Sequence, residues 1–211
     1  MANANDTFTE AADTSLVDHT SDSGHTWTKT FGNVLTVNAA GDYLYNATPT
    51  NASRYTLGVT PASAEYDVQA DVVSTIEWSG GVSGRDVQAD TDRYTFVYEN
   101  SLWKLWKTDA GTTSTLATYS GDSPNGTTRT IKLEIRDATK KGYVGGVERV
   151  SSTDNAVTAT GLPGIYWDGN STGTQMDNWS STDYVAGGDP EGSLINGKLI
   201  NGGLLINGVL N

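Results

Sequence analysis

Residues 91–107 read TDRYTFVYENSLWKLWK, and the side chains alternate between two faces on both sides of a polar break at residues 99–101. Period two on both arms predicts a β-hairpin. Five large apolar side chains fall on one face of it: Tyr94, Phe96, Tyr98, Trp103 and Leu105. Because aromatic rings bury large areas, we expect this hairpin to form the main wall of the core.

The remainder of the chain continues in short strands that are bounded by turn residues. Ile131, Leu133 and Ile135 alternate with charged residues, and Gly145-Gly146 supplies the positive φ angles of a tight hairpin turn. No segment shows a 3.6-residue period of helical length. About a dozen such strands predict an all-β protein, an antiparallel two-sheet sandwich.

Composition excludes several classes of partner. A chain of 211 residues suits one sandwich domain with some chain left over, and its net charge of −12 disfavours nucleic acid and anionic membranes. It has no cysteine, and therefore no disulfide and no thiolate site. We find neither an apolar run of bilayer length nor a signal peptide, so we expect synthesis in the cytoplasm without secretion by a signal.

Several short motifs carry a resemblance to a known family. In chain order they are Asp-x-Phe at 6–8, a Gly-to-Trp turn at 24–27, Gly-x-x-x-Arg at 81–85, Leu-Glu-Ile at 133–135, Val-Gly-Gly-Val at 144–147 and Asp-Asn-Trp at 177–179. This order resembles the concanavalin A-like jelly roll of the LamG-like group, particularly its versions in phage virion proteins. The resemblance covers residues 6–182, within a sandwich domain at residues 1–184.

The resemblance also implies how the domain closes and where calcium would bind. In that fold the first and last strands commonly pair, which would set residues 6–8 beside residues 177–179. It implies a calcium site at this junction, nominating Asp6 and Asp177, since calcium takes carboxylate and carbonyl oxygens from loops. Capping of a turn by either aspartate is the alternative.

The C-terminal tail has a different composition. Residues 185–192 form a Gly/Pro linker, and residues 193–211 repeat Leu-Ile-Asn-Gly three times, which predicts very short β segments between Asn-Gly turns. Nine apolar residues would mediate association: Leu194, Ile195, Leu199, Ile200, Leu204, Leu205, Ile206, Val209 and Leu210. Because so short a segment cannot offset its ordering entropy alone, we expect a homo-oligomer, with a trimer favoured, or docking on a larger assembly. Folding back onto its own sandwich is the alternative.

The sequence contains no complete pattern of catalytic residues. Related jelly rolls include glycoside hydrolases with a Glu-x-Asp-x-x-Glu strand, but the nearest match is Glu65-Tyr66-Asp67, with Ala70 in place of the second glutamate. Without the second carboxylate the acid/base pair is incomplete, so we expect no enzyme activity. The two histidines, His19 and His25, lie in a polar region without a catalytic or metal-ligand pattern, and we expect both to be solvated.

Sugar binding would use exposed aromatic rings flanked by polar groups. The aromatic candidates are Trp78, Trp106, Tyr166, Trp167 and Trp179. Trp106 shares a face with Lys104, opposite Trp103 and Leu105, which makes it the best candidate for an exposed ring. Core burial is the alternative for each of them.

Three functions remain. The first is a structural phage virion protein (capsid decoration, head fibre or tail appendage) that oligomerises through its tail, contacts other virion proteins and is located in the virion. The second is a carbohydrate-binding module or adhesin that recognises surface glycans. The third, least favoured, is a glycoside hydrolase-like enzyme.

Overall fold

The computed structural model describes residues 4–48, 50–75, 78–87, 91–169 and 173–185, together with four two-residue tail strands. Every element in these ranges is a β-strand, and two large antiparallel sheets form a sandwich of the concanavalin A-like jelly-roll type. The fold class predicted from the sequence is confirmed. The described part of the chain contains no helix that is long and apolar enough to cross a membrane.

The first sheet has nine strands in the order β14-β13-β12-β7-β16-β5-β4-β2, with β1 also pairing with β16. Its strands are β1 Ala4–Asp6, β2 Thr14–Ser15, β4 Thr36–Asn38, β5 Tyr43–Tyr45, β7 Tyr66–Val73, β12 Arg129–Ile135, β13 Lys140–Val144, β14 Val147–Ser152 and β16 Gln175–Asp183.

The second sheet has seven strands in the order β11-β10-β9-β8-β15-β6-β3. Its strands are β3 Trp27–Phe31, β6 Ser53–Leu57, β8 Trp78–Asp86, β9 Arg93–Glu99, β10 Leu102–Asp109, β11 Thr112–Tyr119 and β15 Leu162–Trp167.

The hairpin at residues 91–107 forms as the sequence predicts. Strands β9 and β10 pair in register, and Asn100 and Ser101 in the turn both have positive φ, as a two-residue turn that matches the strand twist requires. Trp103 is fully buried, and its ring lies 5.4 Å from that of Phe96 and 5.0 Å from that of Tyr98. Each such buried aromatic side chain contributes roughly 1.5–3 kcal/mol of stability.

The terminal strands close the sandwich. β1 pairs antiparallel with β16, which sets Asp6 opposite Trp179 and Ala4 opposite Ser181. Trp179 is fully buried, and its ring meets that of Trp27 edge-on at 5.0 Å. The expected pairing of the first and last strands is therefore confirmed.

The tail forms two short antiparallel hairpins. β17 Leu194–Ile195 pairs with β18 Lys198–Leu199, and β19 Leu205–Ile206 pairs with β20 Val209–Leu210. The predicted short β segments are thus found, whereas Ile200, Leu204 and the Asn-Gly pairs lie outside the described residues. Association through this tail stays a prediction.

Candidate functional site

The outer face of the seven-stranded sheet carries the aromatic residue that the sequence singled out. Along β10, Trp103 and Leu105 are buried in the core, while Lys104 and Trp106 point away from it and are only partly buried. On β15, Ile165 is buried in the core, so its neighbour Tyr166 points to the outer face. The predicted direction of Trp106 is confirmed.

Trp106 and Tyr166 meet on this face although three strand spacings separate β10 from β15. Their ring centres lie 5.5 Å apart at an interplanar angle of 85°, a favourable edge-to-face geometry. The Lys104 ammonium lies 5.7 Å from the centre of the Trp106 ring and forms an ion pair with Glu99. We call Trp106, Tyr166, Lys104 and Glu99 the aromatic site.

Charged groups surround the Tyr166 phenol. Burial raises the pKa of Tyr166, as do the carboxylates of Asp168 and Glu99, while the guanidinium groups of Arg93 and Arg54 act in the opposite direction. The phenol therefore stays protonated at physiological pH and can donate a hydrogen bond. The site combines aromatic surface with nearby cations and carboxylates, which together suit a polyhydroxylated ligand.

Two of the other candidate rings are not available to a ligand. Trp167 and Trp179 are fully buried, because each faces the core from its strand. Trp179 also donates from its indole nitrogen to the Gly164 carbonyl oxygen at 3.3 Å. The prediction for Trp167 as an exposed platform is therefore wrong. Trp78 begins β8, but its side chain lies outside the described residues.

His19 is buried, contrary to the expectation of a solvated loop residue. Only 1% of its surface is exposed. Its Nε2 lies 2.9 Å from Oδ1 of Asp6, and its Nδ1 lies 2.6 Å from Oε1 of Glu10. Burial lowers the pKa of His19, but the hydrogen bonds to Asp6 and Glu10 outweigh burial and raise it above its usual value. An imidazolium donates to both carboxylates, so His19 fastens the N-terminal segment.

The calcium site implied by the resemblance does not fit Asp6. Its carboxylate accepts hydrogen bonds from the Phe8 backbone N–H at 2.9 Å and from Trp27 Nε1–H at 2.7 Å, in addition to His19. These donors and the adjacent imidazolium disfavour a divalent cation. Asp6 therefore caps a turn and anchors side chains, as the alternative interpretation proposed.

Asp177, on β16, lies directly opposite Asp71 of β7, on the outer face of the nine-stranded sheet. It lines an open pocket of about 170 Å³ together with Asp71, Tyr43 and Asn178. Burial and the nearby carboxylates of Asp71, Asp42 and Asp6 raise the pKa of Asp177, although the Asn178 N–H acts against this. Across the described ranges, no three His, Cys, Asp or Glu side chains are placed to hold a metal ion. A calcium ion held by Asp177 stays a prediction.

The partial hydrolase motif lies on the other sheet from the aromatic site. Asp67 is on β7 and pairs with Arg136 at 2.8 Å and with Lys132 at 3.5 Å. Ala70, at the position of the second glutamate, faces the core and is fully buried. The motif therefore lacks its second glutamate, because position 70 holds an alanine that faces the core.

Several residues near the aromatic site were missed by the sequence analysis. Arg54, Arg93 and Asp168 are buried around Tyr166, and Phe31 is exposed beside Arg54. Isolated charged residues inside apolar strands, such as Arg54 within SRYTL, were an available signal. No sequence signal marked Phe31, because an irregular register on β3 decides which face of the sheet it occupies.

Comparison with known proteins supports the fold alone. Neither a protein-family model nor a curated relative matches this sequence. The carbohydrate-binding module CBM66 from Bacillus subtilis is similar in structure, with a TM-score of 0.60 and 18% identity over 74% of this chain and 95% of that chain. A Bacillus licheniformis β-glucanase has a TM-score of 0.57 and 11% identity over 82% and 99% of the two chains.

A third structure, the carbohydrate recognition domain of Emp46p in its metal-free form, has a TM-score of 0.52 and 10% identity over 75% of this chain and 88% of that chain. At these identities the similarity establishes the concanavalin A-like jelly-roll fold only. The function is inferred from the residues of the site.

Proposed function

We propose that this protein binds carbohydrate on the outer face of its seven-stranded sheet, at the aromatic site. The observation that supports this most directly is the pair of partly buried rings, Trp106 and Tyr166, 5.5 Å apart on a face turned away from the core. A ring held in this way offers a flat apolar surface to the C–H face of a sugar. The Lys104–Glu99 ion pair beside it offers donors and acceptors to sugar hydroxyls.

Structural neighbours favour this proposal. CBM66 is by name a carbohydrate-binding module, and the matching part of Emp46p is by name a carbohydrate recognition domain. The similar β-glucanase is by name an enzyme. We propose binding without hydrolysis, since Asp67 is engaged by two cations on the opposite sheet and Ala70 replaces the second carboxylate.

The test is affinity electrophoresis of the full chain in gels that contain β-glucan, xylan, mannan or fructan. We expect retardation by at least one polysaccharide, and at least about tenfold weaker binding by Trp106→Ala, since aromatic residues dominate such interfaces. Tyr143→Ala is the matched control, because Lys132 lies 4.3 Å over the Tyr143 ring on the other sheet. Full retardation of W106A, or no retardation of the wild type in any gel, would refute the proposal.

The tail favours a second, compatible function as a structural virion protein. Its strands are two residues long and pair only within their own hairpins among the described residues. Such hairpins are marginal alone, which supports association of tails, most simply in a trimer that displays the sandwich on a virion assembled in the host cytoplasm. Sedimentation equilibrium is expected to give a trimer for the full chain and a folded monomer for residues 1–192. If the full chain and residues 1–192 give the same number of chains per particle, this role is contradicted.

A further inference from the structure

Phe31 is the exception among the three phenylalanines of the chain. Phe8 and Phe96 are fully buried, whereas Phe31, at the end of edge strand β3, has 50% of its surface exposed. An isolated exposed apolar residue is ordinary. The position of Phe31 relative to the aromatic site is what gives it a role.

Strand register places Phe31 on the same face as the aromatic site. Phe31 lies opposite Arg54 on β6, and Arg54 lies opposite Tyr166 on β15. Directly opposed residues of antiparallel strands project from the same face. The register shift between Lys29 and Phe31 allows this alignment, and the Arg54 guanidinium carbon lies 5.8 Å from the centre of the Phe31 ring.

Spacing determines what such a surface can hold. Two strand spacings, roughly 9–10 Å, separate the backbone of Phe31 from that of Tyr166, and five, roughly 24 Å at the usual distance between neighbouring strands, separate it from that of Trp106. Ring contacts extend over about 4.5–7 Å between centres. A single stacked sugar ring is too short to span the distance between β10 and β3, whereas a chain of several sugar residues is long enough to contact the Trp106 ring and the Phe31 ring together.

We propose that Phe31 is a second aromatic subsite, so that the ligand of this face is an oligosaccharide that lies across the strands from Trp106 to β3. This inference rests on the proposed carbohydrate binding. Arg54, on the strand between β3 and β15, lies between the two subsites, and its guanidinium is within cation–π distance of the Phe31 ring. The ligand class is thus an extended glycan chain rather than a terminal monosaccharide.

Isothermal titration of the full chain with di-, tri-, tetra- and hexasaccharides of β-glucan, xylan, mannan and fructan tests this. We expect Kd to fall roughly two- to tenfold once the ligand is long enough to reach Phe31. Phe31→Ala and Phe31→Leu should lose this gain and bind short ligands as the wild type does, and Phe31→Tyr should keep it. Val147→Ala, at another exposed apolar residue (49%), is the control.

The outcomes separate this inference from the proposed function. Binding that depends on Trp106 but not on ligand length, or a Phe31→Leu variant with the full gain, overturns the subsite and leaves carbohydrate binding intact. No binding of any oligosaccharide by the wild type overturns both. Phe31→Leu keeps apolar volume on the edge strand, so it reports on the ring even if Phe31→Ala unfolds.

Discussion

Replacing His19 by leucine should destabilise the sandwich markedly, because it removes the cation that lies between two carboxylates. Asp6 and His19 are at least 98% buried at their side chains, and Asp6 cannot return to water without releasing β1. Removing one partner of a buried ion pair costs about 3–5 kcal/mol. We expect the lower end, about 3 kcal/mol, since Phe8 N–H and Trp27 Nε1–H still donate to Asp6.

The pH dependence provides a second measurement on the same pair. Because the pKa of His19 is raised in the folded state, its contribution is complete below the unfolded pKa near 6.5 and is lost as the pH rises through the folded pKa. Urea unfolding at pH 5.5–8 should therefore show the wild type losing its advantage over H19L as the pH rises.

The control for this experiment is His25→Leu. His25 lies in the same polar segment and is partly exposed, so its replacement should change the free energy of unfolding by less than about 0.5 kcal/mol. An H19L variant as stable as H25L at pH 5.5, or a constant difference between H19L and wild type across the range, would refute the assignment of a buried imidazolium.

Other side chains give further predictions. Burial, with the nearby Arg85 cation, lowers the pKa of Lys140 to about 8, so the stability of the wild type relative to Lys140→Met should rise from pH 8 to pH 10, measured by urea unfolding. Trp103→Ala should cost about 3–5 kcal/mol and flatten the near-UV circular dichroism, because the ring fills the core against Phe96; a loss under 1 kcal/mol would contradict its place in the core. Ser101→Gly should raise the thermal midpoint by a few degrees, a gain of about 0.5–1 kcal/mol, because Ser101 has a φ of 63° in the hairpin turn; a lower midpoint would contradict that turn geometry.

The sheet architecture was predictable because its signals are local. Period-two alternation placed Tyr94 and Phe96 inside, and the Gly145-Gly146 pair marked a turn in which both φ angles are indeed positive. The same alternation placed Trp106 outside the core. Alternation also assigns Tyr166 and Trp167 to opposite faces of β15, since Ile165 and Trp167 share the face that is buried in the core.

The remaining site residues depend on contacts that no local pattern encodes. His19 belongs to a polar segment that the sequence predicts to be solvated. Only the fold places Asp6 beside His19, with Trp27 also hydrogen-bonded to Asp6. Phe31 faces outward because of an irregular register on β3, which the sequence does not mark. Arg54 is buried beside Phe31, against the usual preference of arginine for the surface.

The closure of the sandwich by β1 and β16 also has a mechanical consequence. Because these strands are antiparallel, with Ala4 opposite Ser181, the polypeptide enters and leaves the sandwich at the same end of this pair. Tension applied between the N- and C-terminal ends of the sandwich therefore acts on one end of the β1–β16 pair first. The hydrogen bonds between these strands then break one after another, not all at once. We expect the sandwich to yield to pulling at low force, through detachment of the first strand.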